Sequence, residues 1–68
     1  MIIVTKKGVT QDQLDHIRER IESLGLRTHM SRGESRTVIG CLGDESLLEH
    51  VPLLSIPGVE AVHQGLKP

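Results

Sequence analysis

The sequence contains no phenylalanine, tyrosine or tryptophan. A core without aromatic rings has to be filled by Ile, Val, Leu, Met and Ala, and it forgoes the large contact area that each ring brings. The same absence excludes RNA recognition by a sheet whose aromatics stack on bases. Cys41 is the single cysteine, so no internal disulfide can form, and its place in an apolar run reads as a small buried hydrophobe rather than a nucleophile. No apolar stretch nears the roughly 20 residues that span a bilayer. The run Met1-Ile2-Ile3-Val4 before Thr5-Lys6-Lys7 is too short, and in the wrong order relative to its charges, for a signal peptide. A cytoplasmic protein with no membrane partner is the expectation. Charge of one sign is also missing: eight basic and nine acidic residues give a net −1. Because they are interspersed, no basic stripe tracks a phosphate backbone, and nucleic acid is not an expected partner.

At 68 residues the chain is one small domain, and a chain of this size buries only about 60% of its unfolded surface. A partner surface would therefore add to its stability. Ile2-Ile3-Val4-Thr5 reads as a strand closed by the turn at Lys6-Lys7-Gly8. Thr10 and Gln13 have capping-box spacing, each able to satisfy a free N–H at a helix start. Leu14, Ile17, Ile21 and Leu24 then form one helical stripe, with Arg18, Glu19, Arg20 and Glu22 on the remainder. Gly25 follows, where a left-handed cap is cheapest.

Leu26 to Arg32 and Arg36 to Leu42 are two further strands, joined closely enough by Gly33-Glu34-Ser35 to form an antiparallel hairpin. A three-residue loop puts Leu26, Met30, Val38 and Leu42 on one face and His29, Ser31, Thr37, Ile39 and Cys41 on the other. A two-residue loop shifts the second set by one and leaves Thr37 in the core. The fully apolar inner face favours the first register, and both keep His29 and Ser31 together. Asp44 is a suitable N-cap for a second helix with Leu47, Leu48 and Val51 on its stripe, which Pro52 should end or kink early. Pro57-Gly58 marks the turn into a last strand, Val59 to Leu66. The expected fold is α+β: a ferredoxin-like βαββαβ sandwich, with a four-stranded antiparallel sheet and two helices on one face.

Little in this arrangement can do chemistry. His16 and His50 fall on or near helices, while His29 and His63 belong to opposite edges of the usual sheet, about 14 Å apart by strand spacing. With no Cys-x-x-Cys or His-x-x-x-His spacing, no metal site is expected. Asp12, Asp15, Glu19 and Glu22 suit solvated charge pairs with Arg18 and Arg20. Gly8 and Gly33 are isolated turn glycines rather than parts of a phosphate-binding loop. No catalytic residue is expected. What remains is the imidazole and hydroxyl of His29 and Ser31 side by side on a half-apolar sheet face, with Ile39 and Cys41 nearby in the favoured register, a surface suited to a small molecule or another copy.

Ile2-Ile3-Val4, Lys6-Lys7-Gly8-Val9-Thr10, Leu26-Arg27-Thr28-His29 and Arg32-Gly33-Glu34 add a further pattern, continued by Arg36-Thr37-Val38-Ile39-Gly40, Gly43-Asp44, Pro57-Gly58-Val59-Glu60 and Leu66-Lys67-Pro68. Together they resemble the N-terminal regulatory domain of one subclass of 3-deoxy-7-phosphoheptulonate (DAHP) synthase, over the whole chain. The most specific part is Arg-Thr-Val-Ile-Gly followed by Gly-Asp. The resemblance implies a ferredoxin-like, ACT-like domain attached to a (β/α)8 barrel that condenses phosphoenolpyruvate with erythrose 4-phosphate, using a divalent metal, at the entry to aromatic amino-acid synthesis. All catalytic and metal residues of the family lie in that barrel, so no cofactor is expected in residues 1–68, and the barrel is a partner if attached. In tyrosine-inhibited members the effector binds between two paired copies of the domain, where the residues matching His29 and Ser31 lie. The resemblance thus implies an allosteric sensor of an aromatic amino acid, tyrosine first and phenylalanine second, with His29, Ser31 and Ile39 as effector-binding candidates. The competing expectation is a self-association or docking module. Family members continue beyond Leu-Lys-Pro into the barrel, whereas this sequence stops at Pro68.

Overall fold

The computed structural model describes residues 1–64. The chain runs β1 (Ile2–Thr5), α1 (Gln11–Ser23), β2 (Arg27–Arg32), β3 (Thr37–Leu42), two short 3-10 helices (Glu45–Leu48 and Leu53–Ser55) and β4 (Val59–His63). The four strands form one sheet in the order β2-β3-β1-β4. Every pairing is antiparallel. The expected ferredoxin-like sheet is therefore present, with β2 and β4 at its edges.

Helix α1 starts where its capping chemistry places it. The Thr10 hydroxyl accepts from the Gln13 N–H at 3.1 Å, and the Gln13 side chain accepts from the Thr10 N–H at 3.1 Å. The helix ends before Gly25, which takes φ +99°. Its buried residues, Leu14, Ile17 and Ile21, lie on one stripe. They pack with Ile3, Ile39, Leu26, Leu48, Leu53 and Val59 into an aliphatic core. A polar side chain buried there, Thr5, donates its hydroxyl to the Thr37 carbonyl at 2.6 Å, removing the desolvation cost of an unpaired hydroxyl.

The hairpin register corrects the expected faces. Met30 pairs with Ile39 and Ser31 with Val38, and Ile39 in turn pairs with Ile3 of the central strand. The loop spans residues 33–36, closed by the Gly33 N–H on the Arg36 carbonyl at 2.8 Å. Its even length gives the alternation of the two-residue alternative, with Thr37 turned inward. Ile39 and Cys41 consequently lie in the core at 0% and 4% exposure, on the face opposite His29 and Ser31, while Val38 and Leu42 point outward. Burying Ile39 removes a whole branched side chain from water, worth about 1.5–3 kcal/mol, and the other register would give up this burial. Two side-chain bonds tie the inward residues of β2 to α1: Thr28 to Glu22 at 2.7 Å and Arg32 to Gln11 at 2.7 Å.

The expected second helix is also corrected. Asp44 caps a turn, accepting from the Ser46 N–H at 3.0 Å, but that turn is a 3-10 helix ending at Leu48. Pro52 has no N–H to reach back to Leu48 and thus cannot extend an α-helix. The Val51 N–H takes the Leu48 carbonyl instead, at 3.1 Å. Two 3-10 turns drop Leu48 and Leu53 into the core on the side of α1. The last strand is described to His63; the expected continuation to Leu66 lies partly outside the described residues. Among the described residues no helix is long and apolar enough to cross a membrane.

This packing separates neighbouring residues energetically. Ile39→Val should cost about 0.5–1.5 kcal/mol through the cavity it leaves, whereas outward Val38→Thr should stay within about 0.5 kcal/mol. Urea denaturation midpoints check this, and equal losses at the two positions would contradict the assigned faces.

Candidate functional site

The register assembles the outer face of the sheet row by row. Residues paired across strands share a face, so His29, Gly40, Ile2 and His63 form one row and Ser31, Val38, Val4 and Ala61 the next. Leu42 pairs with Arg27 at the end of the hairpin. The strand residues that pack with Leu14, Ile17 and Ile21 of α1 belong to the opposite face. The floor is apolar and half-buried at Ile2, Val4, Val38 and Ala61, while Leu42 is 57% exposed. His29 and Ser31 line one edge and His63 the other, all three exposed.

His29 and Ser31 therefore sit together, as their spacing indicates, with their side chains available to a ligand. Ile39, the third candidate, is not part of this face. Val38 takes that place, contributing an apolar wall next to Ser31. Gly40 makes a hollow between His29 and Ile2: a Cβ built there would approach only the His29 carbonyl oxygen at 3.7 Å and the His29 Cβ at 3.9 Å. The face thus combines a flat apolar floor, a hollow beside an imidazole, and a hydroxyl that both donates and accepts. Such a surface suits a planar apolar group carrying one polar tip. The available signal for the outer floor was Ile2-Ile3-Val4 itself, apolar at every position rather than alternating, as expected of a strand with apolar surroundings on both faces.

The other candidate groups lie elsewhere. His29 and His63 stand at opposite ends of their row, three strand spacings or about 14 Å apart. Among the described residues no group of three or more His, Cys, Asp or Glu could hold a metal ion. Cys41 is on the core side, and burial pushes its thiol above the ordinary value, with the amino terminus opposing and Glu45 adding to the rise. The Met1 amino group contacts the Glu45 carboxylate near this strand end. Asp44 is held below the usual carboxylate range by its hydrogen bonds from the Ser46 hydroxyl and N–H. A depression of about 380 Å³ opens at the 3-10 turns between Met1, Val51, Leu54 and Val62, away from the outer face.

A model of the DAHP synthase ferredoxin-like domain matches residues 1–64. The chain belongs to this family. It is 38% identical over 68 residues to the phospho-2-dehydro-3-deoxyheptonate aldolase of Thermotoga maritima, an alignment covering 100% of this chain and 20% of that protein. The crystal structure of the DAHP synthase from Thermotoga maritima superposes with a TM-score of 0.85 at 37% identity, over 98% of this chain and 20% of that one. The chain thus spans about a fifth of the length of the relatives it matches.

The openness of the face at Gly40 is testable without a ligand. Since glycine weakens a strand interior by about 0.5–1 kcal/mol relative to alanine, and the added methyl meets only ordinary contacts, Gly40→Ala should raise the unfolding free energy by about that amount. A loss of stability in urea denaturation would show that the hollow is already filled.

Proposed function

We propose that this chain is the regulatory domain of a cytoplasmic DAHP synthase, and that its outer sheet face binds an aromatic amino acid, tyrosine in preference to phenylalanine, for feedback inhibition of the first step of the shikimate pathway. The observation that carries this reading is the uncovered face on which His29 and Ser31 border an apolar floor. A tyrosine ring lies on Val38 and Val4 with its phenol between the Ser31 hydroxyl and the His29 imidazole. A second copy of the domain closes over the ring, burying the floor of both. The domain itself contributes no catalytic or metal-binding residue; turnover belongs to the family's metal-dependent barrel. The effector acts because it binds the paired arrangement better than the unpaired one, and it shifts the equilibrium by that difference only.

Titration of the isotopically labelled chain with L-tyrosine, followed by amide shifts around His29 and Ser31, tests the site. Ser31→Ala should weaken tyrosine by about 1–3 kcal/mol, or roughly 5- to 150-fold, because the buried phenol loses its partner. Phenylalanine binding should change far less, and the fold should persist, since Ser31 faces away from α1. Equal tyrosine affinity before and after the substitution would reduce Ser31 to a solvated strand residue.

The exposure of Leu42 favours a second reading, a self-association or docking module without an effector. Sedimentation over a wide concentration range separates the two. Dimerisation strengthened by L-tyrosine supports the sensor, whereas an equal dimer with and without it, and no amide shifts, supports the module.

A further inference from the structure

The apolar floor and the phenol partners account for one end of an amino acid only. The other end, a carboxylate and an ammonium on one carbon, also has to leave water if the site closes, and it needs an anion and a cation close together. Past Ser31 and Val38 the sheet supplies such a pair. Arg36, the loop residue that leads into β3 two positions before Val38, forms an ion pair with Glu60 of β4. Since β1 lies between β3 and β4, the pair reaches over the end of the central strand. Lys6, which follows β1, lines a depression of about 170 Å³ together with Arg36, Glu34, Gly8 and Gly33. Ser31 pairs with Val38, so Arg36 lies one diagonal away, about 7–8 Å between backbones, a span that an aromatic amino acid lying flat covers from phenol to head group.

The geometry points to Arg36 and Glu60 as the clasp for the effector's head group, an inference that rests on the proposed aromatic amino-acid site. The ligand carboxylate replaces Glu60 on the guanidinium, which binds it through two parallel N–H donors with Lys6 as a second cation. The ligand ammonium takes the freed Glu60 carboxylate. The internal pair is easily exchanged: its side chains are 43% and 41% exposed, and a pair so exposed adds little to stability. Zwitterionic ligands are thus selected over compounds that carry one charge alone.

The test uses the 68-residue chain and three ligands: L-tyrosine, tyramine, which lacks the carboxylate, and 3-(4-hydroxyphenyl)propionate, which lacks the ammonium. The unsubstituted chain should prefer L-tyrosine over each analogue by about tenfold or more. Arg36→Gln should shrink the preference over tyramine and leave that over the propionate; Glu60→Gln should do the reverse. An ion pair that only straps β3 to β4 would shift the melting temperature and leave both preferences intact. Circular dichroism establishes folding, and if a glutamine variant unfolds, Arg36→Lys or Glu60→Asp replaces it, with a smaller loss expected in the same preference. L-tyrosine binding with both preferences unchanged in the variants overturns the clasp while the phenol site stands. Failure of L-tyrosine to bind the unsubstituted chain overturns the site, and the clasp with it.

Discussion

One helix can cover only one face of a four-stranded sheet, and the organisation of this domain follows from that limit. Helix α1 and the two 3-10 turns bring Leu14, Ile17, Ile21, Leu48 and Leu53 to the same side, against Ile3, Ile39 and Val59. Among the described residues no helix covers the opposite side. Its residues are nevertheless apolar along the central strands, at Ile2, Val4 and Val38, so the sheet presents a surface that gains free energy when something lies against it. The polar groups of the candidate site, His29 and Ser31, border that surface on the edge strand β2.

The absence of aromatic rings sharpens this division. An aliphatic core of small to medium side chains leaves little reserve of stability in a domain of this length. Its fidelity rests on close packing and on local bonds, among them the capping box at Thr10 and Gln13 and the Thr5 hydroxyl on the Thr37 carbonyl. An outer face that lacks rings of its own also leaves space for one: flat aliphatic side chains and a glycine stand where an aromatic residue would fill the room.

The elements most legible in the sequence were those with local causes. Thr10, Gln13 and Gly25 bracket α1 by chemistry that acts within a few residues, and the order of the strands follows from the βαββαβ rhythm. The hairpin register depended on whether the loop holds an odd or even number of residues, and Arg36, equally acceptable as strand or loop, hid that answer. One residue of slip exchanges every side chain between faces, which is why Ile39 and Cys41 belong to the core and Val38 to the outer floor. The second helix failed on a competition that local propensity underrates: a good N-cap at Asp44 against Pro52, with the chain settling for two tight turns. His29 and Ser31 were legible as a pair because their spacing is independent of register. Gly40, Val38 and Ala61 were not, because their rows exist only once three strands are aligned.

The alternation along β3 has a consequence for how such a domain changes over evolutionary time. Successive residues, Val38 and Ile39 or Gly40 and Cys41, meet different surroundings, one the open face and the next the core. Exchanges at the outward positions alter the shape and polarity of the surface while the inward ones keep the chain folded. If the outer face holds the proposed effector, exchanges at outward positions of the hairpin change what it accepts without touching the inward residues that pack the core, so ligand preference can diverge faster than architecture.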